Sequence, residues 1–205
     1  MLPPQDVMNK AVQRLGLELQ RAPKLSDSFV LETSRSRDEV LARYQPIFSP
    51  ENIGIIAKED FRSFLVPKNN KHWYGLQRRG SIMTENMDKL REALKILVDE
   101  SVPVQQRLDI ILSPKRPKVK GLGPAVVTAI LLIDFPESYG AMNNISLKGA
   151  DKLGLMPKFI GSETFGERYL EFNEMLLTVS HQLGVDLWIM DMLWYMVLGK
   201  DHWKK

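Results

Sequence analysis

Six large apolar residues recur at alternating spacings of four and three: Phe165, Tyr169, Phe172, Leu176, Val179 and Leu183. At 3.6 residues per turn, this spacing places all six side chains on one face of a helix. Thr164 and Glu167 form the pattern that caps a helix start, and Gly184 is typical of a helix end. The pattern therefore predicts a long helix that is buried along one face.

Helical patterns also account for most of the remaining chain. Asp186 is a cap residue, and the stretch 187–198 behind it is apolar on nearly every side, which predicts a fully buried helix. Shorter helices are predicted after a capping box at Ser36-Arg37-Asp38-Glu39, over Lys58–Val66 before Pro67, from a Thr84 cap through Leu97, and after Pro103 through Leu112. The fold is predicted to be mainly α. A small β-hairpin over Trp73–Met83 is a further expectation, because Gly75 and Gly80 can turn the chain.

One polar stretch, Lys24–Ser36, is a candidate linker. It divides an expected N-terminal helix over Gln5–Arg21 from the rest of the chain. The sequence thus predicts an N-terminal helix and linker over residues 1–36 and a helical domain over residues 37–205. With 44% apolar residues, a chain of 205 residues can form one substantial core or two small lobes that share one.

Composition excludes several functional classes. The chain has no cysteine, which rules out disulfides, cysteine-ligated zinc and a thiol nucleophile. The three histidines are far apart in sequence, and no cluster of carboxylates suggests a metal site. No apolar run is long enough to span a membrane, and the N-terminus does not have the pattern of a secretory signal. We therefore expect a cytoplasmic protein without metal, cofactor or membrane partner.

Positive charge is concentrated in two segments that contain no acidic residue. Residues 61–84 carry Arg62, Lys68, Lys71, Arg78 and Arg79, and residues 110–133 carry Lys115, Arg116, Lys118 and Lys120. The formal net charge of +3 is by itself a weak indication of a nucleic-acid partner. If the fold brings the two segments together, however, they form a phosphate-binding face.

The second basic segment contains a glycine turn that is followed by an apolar helix. The stretch from Lys118 to Leu131 resembles the hairpin and second helix of a helix-hairpin-helix element. Two glycines let the backbone approach a phosphate closely, and the amides at a helix start favour an anion. The predicted contacts to the DNA backbone are Lys118, Lys120, Gly121, Leu122, Gly123 and Ala125, with Lys115 and Arg116 beside them. The element departs from the usual motif at Val127 and in the insert 113–117, and an ordinary tight turn is the alternative.

The first basic segment contains the string Asn69-Asn70-Lys71-His72-Trp73, followed by Tyr74. Amides, an imidazole and large rings are the groups that stack a base and read its edge. Asn69, Asn70, His72, Trp73 and Tyr74 are therefore candidates for base recognition, and Lys71, Arg78 and Arg79 for phosphate contacts. In the alternative interpretation, Trp73 fills the core and the charged residues form a solvated rim.

A third segment, residues 135–144, resembles the region after the hairpin in helix-hairpin-helix DNA glycosylases. Those enzymes carry a catalytic Asp at a position that corresponds here to Asn143, and the Lys of bifunctional members corresponds to Ala125. Because Asn is not ionised, the resemblance implies a glycosylase-like scaffold without its chemistry and with no catalytic residue. Asn143 and Asn144 are instead candidates to bind a base or a phosphate, or to cap the helix that opens near Ser146.

Taken together, these segments resemble the N-terminal region that precedes AAA+ motor domains in McrB-like modification-dependent restriction proteins. The resemblance covers roughly residues 37–197 and is strongest at the Asn-Asn-Lys-His-Trp string and at Gly121-Leu122-Gly123. It implies a module that finds a modified, most simply methylated, base in double-stranded DNA, while a motor hydrolyses GTP or ATP and recruits a nuclease. This chain has no Walker A sequence, so we expect an excised domain or a stand-alone relative that is not itself an enzyme.

Two other functions are compatible with the same residues. The first is an active helix-hairpin-helix glycosylase or lyase, against which Asn143 argues. The second is a protein-interaction module, in which the apolar C-terminal helix and the aromatic residues serve oligomerisation.

Overall fold

The computed structural model describes residues 2–25, 29–113 and 119–199. Over these ranges the chain forms eleven α-helices and two short 3₁₀ turns, with no strand, so the mainly-α prediction is confirmed. The helices are α1 Gln5–Leu25, α2 Phe29–Phe48, α3 Lys58–Leu65, α4 Pro67–Asn70, α5 Gly80–Met83, α6 Met87–Val98, α7 Val104–Ile111, α8 Pro124–Asp134, α9 Asn144–Lys152, α10 Phe165–Leu183 and α11 Leu187–Leu198. The 3₁₀ turns are Ile53–Ile55 and Leu76–Arg79.

The two C-terminal helices have the predicted ends. Thr164 Oγ1 accepts a hydrogen bond from the Glu167 amide, and the Glu167 carboxylate accepts one from the Thr164 amide, which completes the capping box of α10. Gly184 ends α10 in the left-handed conformation at φ 66°. Asp186 caps α11 by accepting from the Ile189 amide at 2.7 Å. These ends were predictable because each depends on groups within a few residues of one another.

Two other helices start at residues that the sequence analysis did not select. Asn86, rather than Thr84, caps α6, because the Thr84 hydroxyl donates back to the Gly80 carbonyl. The prediction of a helix start at Ser36 is wrong, since α2 begins at Phe29 and contains Ser36 in its interior. The second half of the predicted linker is thus helical, and the buried side chains of Thr33, Val40 and Tyr44 define the inner face of α2.

The predicted β-hairpin over Trp73–Met83 is also wrong. Gly75 and Gly80 adopt right-handed helical conformations, with φ and ψ of −104° and −11° at Gly75 and −57° and −39° at Gly80. The chain therefore coils through the 3₁₀ turn Leu76–Arg79 into α5 instead of reversing direction. Glycine permitted a tight reversal here but did not require one.

The apolar side chains of all the long helices belong to one core. Met8, Ala11 and Leu15 of α1 lie in the same cluster as α8 and α11. From Val126 to Ile133 every side chain of α8 is buried, and α8 packs against α2 and α6. As predicted, α11 is buried on most sides, and it crosses α9 so closely that a Cβ on Gly149 would lie 2.6 Å from Trp194 Cε3. This packing holds the first turns of α8, α9 and α10 in fixed places around a single cleft.

Candidate nucleic-acid interface

A cleft of about 690 Å³ opens where four segments of the chain meet. They are the stretch from Trp73 to Arg79, the turn before α8, the start of α9 and the start of α10. Its lining residues are Trp73, Tyr74, Gly75, Leu76, Arg78, Arg79, Met83, Gly121, Gly123, Pro124, Ala125, Val126, Met142, Asn143, Asn144, Ile145, Leu147, Phe165, Arg168 and Tyr195. Sites for small ligands typically measure about 300–1,000 Å³, so this cleft is large enough for a base or a nucleotide.

The glycine turn packs directly on the segment that carries the arginines. Gly121 has φ +88°, a conformation that strains any residue with a Cβ, and a Cβ there would lie 3.3 Å from Arg79 Cβ and from Met83 Cγ. Gly123 is different, because it has extended backbone and a Cβ on it would meet nothing within 4 Å. Gly121 is needed by the fold, whereas Gly123 leaves open space beside the cleft.

The start of α8 presents fewer amides than the sequence analysis expected. Val126 and Val127 donate to the Gly123 carbonyl at 3.0 and 3.2 Å, and Pro124 has no N–H. Leu122 was a predicted phosphate contact, but its amide donates to Val119 O at 3.2 Å and its side chain is buried. Leu122 therefore anchors the turn in the core. Within the described residues, the Gly123 and Ala125 amides have no hydrogen-bond acceptor and line the cleft.

Three of the five predicted base-recognition residues in the first basic segment lie in the core. Asn70 is fully buried: its amide group donates to Phe64 O and Trp73 O, and its oxygen accepts from the amides of His72 and Trp73. Trp73 is only 3% exposed, and its indole packs against Phe64 and Trp188. The hydrogen-bonding capacity of these side chains is thus used to fold the loop, which leaves little of it for a base.

A buried carboxylate beneath the cleft accounts for the polarity of this loop. Asp191 of α11 is 3% exposed, and its Oδ2 lies 2.7 Å from His72 Nε2 and accepts from Trp73 Nε1 at 3.1 Å. Asn143 Nδ2 donates to Asp191 Oδ1 at 3.5 Å. Asp191 thus ties the loop, the start of α9 and α11 together. A buried charge needs such partners, since burying one alone is costly.

The remaining predicted base-recognition residues lie nearer the surface. Tyr74 is 65% exposed and lines the cleft. Asn69 is half-buried and donates to Ser63 O and Ser63 Oγ, away from the cleft. Asn144 is exposed at the first position of α9 and lines the cleft. Tyr74 and Asn144 are therefore the predicted residues best placed to contact a base.

Asn143 is the cap of α9, which was the alternative interpretation of this residue. Its side-chain oxygen accepts from the amides of Ile145 at 2.8 Å and Ser146 at 3.1 Å, and its own amide donates to Ser146 Oγ at 2.9 Å. The side chain still lines the cleft. No carboxylate stands at this position, and none of the described residues that line the cleft is acidic.

Three arginines give the cleft its charge: Arg78 and Arg79, which were predicted, and Arg168 of α10. All three are exposed, and none has a hydrogen bond or an ion pair to another described residue. Arginines elsewhere are engaged: Arg37 with Asp38 and Asp186, Arg91 with Asp88 and Ile56 O, and Arg107 with Leu97 O and the Tyr139 hydroxyl. The three arginines at the cleft are thus free, among the described residues, to bind an anion.

The predicted lysine contacts have different outcomes. Lys71 forms an ion pair with Glu39 of α2 and does not line the cleft. Lys120 is exposed beside the glycine turn, and its contact with a phosphate stays a prediction. Lys115, Arg116 and Lys118 lie outside the described residues.

The sequence analysis missed Arg168, Phe165 and Tyr195 as cleft residues. Phe165 and Arg168 are three residues apart at the start of α10 and therefore share a face of the helix. That spacing was visible, but not the fact that the start of α10 faces the glycine turn. Tyr195 lies one turn after Asp191 on α11, and burial raises the pKa of its phenol, which stays protonated and donates to His72 O at 3.5 Å.

Neither a metal site among the described residues nor a similar protein narrows the chemistry of the cleft. Among the described residues, no three His, Asp or Glu side chains are grouped so that they could hold a metal ion. None of the described helices is both long and apolar enough to cross a membrane. Comparison of the chain with protein-family models, curated proteins and solved structures finds no match. The functional interpretation therefore depends on the cleft itself.

Proposed function

We propose that the cleft binds DNA and that the chain is a recognition module for modified, most simply methylated, DNA. The observation that carries this proposal is the set of three guanidinium groups, those of Arg78, Arg79 and Arg168, around one cleft. Within the part of the chain that the structure describes, they have no bonded partner and no acidic residue lines the cleft. A guanidinium group binds a phosphate through two parallel hydrogen bonds, and the release of counterions from DNA favours such contacts.

The glycine turn supplies a second way to hold the DNA backbone. The amides of Gly123 and Ala125 lie beside the cleft at the positively polarised start of α8. Since Gly123 has no side chain, a phosphate can approach these amides closely. Contacts of this kind position the DNA without reading its sequence.

Recognition of a base is assigned to the exposed aromatic residue and the apolar floor of the cleft. Tyr74 can stack on a base, a contact that contributes ~1–3 kcal/mol. Asn144 offers an amide to a base edge, and Met83, Met142 and Ile145 line the floor. Extruding a base costs a few kcal/mol, which stacking and hydrogen bonds offset. A methyl group buried against the floor would add only ~1 kcal/mol, so we expect modest discrimination.

The biological setting in this proposal depends on the resemblance to McrB-like proteins alone. In that setting the chain is a specificity module in the cytoplasm, and it is not an enzyme. An AAA+ motor and a nuclease subunit, on other domains or chains, would act on the DNA that it selects.

A binding panel tests the proposal. One duplex, unmodified or carrying methylcytosine, hydroxymethylcytosine or methyladenine, is titrated by fluorescence anisotropy at two salt concentrations. We expect binding that weakens steeply with salt and is tighter for one modification. The double variant Arg78→Ala/Arg79→Ala should lower the slope of log K against log salt by about two. Arg35→Ala, an exposed arginine on α2 away from the cleft, should leave it unchanged. Salt-independent absence of binding would exclude the proposal.

The two glycines allow a finer test of the backbone contact. Gly123→Ala should fold normally, because its Cβ meets no other atom within 4 Å, yet lose about 10- to 100-fold in DNA affinity if one hydrogen bond to a charged phosphate is lost. Gly121→Ala should instead destabilise the fold, since its φ is +88°. If Gly123→Ala binds DNA as the unchanged protein does, the turn does not hold a phosphate.

A further inference from the structure

The unpaired arginines of the cleft belong to two different walls. Arg78 and Arg79 form one wall together with Gly121 and Gly123, since the glycine turn packs on Arg79. We call it the glycine-turn wall. Arg168 forms an α10 wall together with Phe165 and the neighbouring Asn144 of α9. The 3₁₀ turn that carries Arg78 and Arg79 packs on α3, whereas α10 packs on α7, α1 and α11. The two walls are thus held by different parts of the core.

The start of α10 is fixed independently of the glycine turn. Asp109 of α7 accepts from Thr164 Oγ1 and from the Gly166 amide, both at 2.8 Å. Gly166 lies so close to α7 that any side chain at this position would collide with the backbone of Gln105. Arg168, two residues after Gly166, therefore projects from a part of α10 that is fixed against α7.

The two acidic residues that precede Arg168 accept hydrogen bonds from backbone amides. Glu167 accepts from the Thr164 amide at 2.7 Å as part of the capping box. Glu163 accepts from the amides of Ile160 and Gly161, and the first of these bonds lowers the pKa of its carboxyl group more than any other influence. The charge of Arg168 also lowers the pKa of Glu163, but less than the amide hydrogen bonds do. Among the described residues, the guanidinium group of Arg168 has no hydrogen bond or ion pair and lies at the cleft.

We propose that Arg168 is a second phosphate contact, and that the cleft takes one nucleotide unit with a phosphate on each side. This inference depends on the proposed function. The glycine-turn wall holds one phosphate, and Arg168 holds the next phosphate along the same DNA strand. The nucleoside between the two phosphates lies over the apolar floor of the cleft. A single phosphate would need only one wall, whereas a strand that crosses the cleft presents successive phosphates to both.

The salt dependence of DNA binding measures the contribution of each wall. For an unmodified duplex, Arg168→Ala should lower the slope of log K against log salt by about one, and the triple variant with Arg78→Ala and Arg79→Ala by about three. The exposed Arg35→Ala is the matched control. If Arg168→Ala leaves affinity and slope unchanged while Arg78→Ala/Arg79→Ala lowers them, the second contact is excluded and the proposed function stands. If the unchanged protein binds no duplex even at low salt, the proposed function itself fails.

Small competitors test whether the two phosphates flank one nucleoside. Thymidine 3′,5′-bisphosphate should displace a labelled duplex at lower concentration than either thymidine monophosphate. Arg168→Ala should abolish that advantage while the variant keeps its thermal stability. Equal potency of the three nucleotides, including no displacement by any of them, would contradict the two-phosphate arrangement.

Discussion

Two adjacent parts of the first basic segment lie in different environments: the inner part, residues 70–73, is mostly buried, and the outer part, residues 74–79, is mostly exposed. Asn70, His72 and Trp73 are buried, and His72 and Trp73 contact the carboxylate of Asp191. Tyr74, Arg78 and Arg79 are exposed at the cleft, to whose lining Trp73 contributes only a small exposed part. Both parts combine aromatic and polar residues, and the sequence analysis treated them as one DNA-contacting surface. The comparison shows that polar groups next to a large ring can serve to bury the ring as readily as to bind a ligand.

The reversal between the two parts has a local cause. Lys71 is the only described residue other than glycine with positive φ, at 56°, and it turns the chain at the end of α4. Asn70 accepts hydrogen bonds from the next two amides, which directs His72 and Trp73 inward. The 3₁₀ turn Leu76–Arg79 then brings the arginines back to the surface.

The largest expected effect is a loss of stability on truncation of Trp73, which its neighbour Tyr74 should not show. Trp73→Ala should lower the free energy of unfolding by ~3–5 kcal/mol, because it leaves a cavity against Phe64 and Trp188. Denaturant unfolding measures this change. Trp73→Phe, which keeps most of the packing, serves as the control and should cost less. If Trp73→Ala keeps its stability and loses only DNA binding, the indole acts as a ligand contact and not as a core residue.

The next effect concerns the carboxylate that holds the inner part in place. Asp191→Asn keeps the volume of the side chain but replaces the carboxylate by a neutral amide. The carboxylate oxygen Oδ2 accepts from Trp73 Nε1 and contacts His72 Nε2. Hydrogen bonds to a charged group contribute ~1.5–3 kcal/mol, so we expect a loss of that size in the free energy of unfolding. The same substitution at Asp186, which caps α11, offers a comparison with a more exposed carboxylate. If the free energy of unfolding changes by less than about 0.5 kcal/mol, the charge of Asp191 does not stabilise the fold.

The outer part should respond in DNA binding and not in stability. Tyr74→Ala removes an exposed ring from the cleft, which should weaken binding of the preferred modified duplex by ~1–3 kcal/mol. The free energy of unfolding should change by no more than about 0.5 kcal/mol. Tyr74→Phe, which keeps the stacking surface, should bind nearly as well. Equal affinity of all three proteins would remove Tyr74 from the binding surface.

Asp134 offers a comparison with Asp191, because its half-buried carboxyl oxygen Oδ2 has no hydrogen-bond partner among the described residues. Burial, followed by repulsion from Glu51 and Glu100, raises the pKa of Asp134 from 3.8 to about 7. Between these values the unfolded chain loses a proton that the folded chain keeps. The free energy of unfolding therefore falls as pH rises through this window, and the penalty is complete above it.

Asp134→Asn should remove this fall. Because Asp134 is partly exposed, we expect a difference of only ~1–2 kcal/mol between the variant and the unchanged protein, present at about pH 8 and absent at about pH 4. Denaturant unfolding at the two pH values measures it. Parallel pH profiles for the two proteins would show that Asp134 ionises normally.

The smallest effect is expected at the turn between the two parts. Lys71→Gly relieves the positive φ and loses an exposed ion pair with Glu39, so the free energy of unfolding should rise by about 0.5 kcal/mol. DNA affinity should stay within about twofold, because Lys71 does not line the cleft. Lys68→Gly, in the preceding helix α4, is the control and should not stabilise the protein. A lower salt slope for Lys71→Gly would restore Lys71 as a phosphate contact.

The fold was more predictable than the site. Helices α10 and α11 were predicted with their caps, because Thr164, Glu167, Gly184 and Asp186 act on amides within their own turns. Of the candidate site, Gly121, Gly123, Arg78, Arg79 and Tyr74 were predicted to share a surface, and they line one cleft. Arg168 was missed because its place depends on Asp109, more than fifty residues earlier.

The amino-acid sequence alone determined the mainly helical class, the ends of the capped helices and the concentration of positive charge in two segments. These follow from periodicity, capping and composition, which act over a few residues. Only the tertiary structure decided which aromatic and polar residues face the cleft. The polar atoms of buried His72 and Trp73 find their partner in the Asp191 carboxylate of α11, about 120 residues away, and no local pattern reports such a partner.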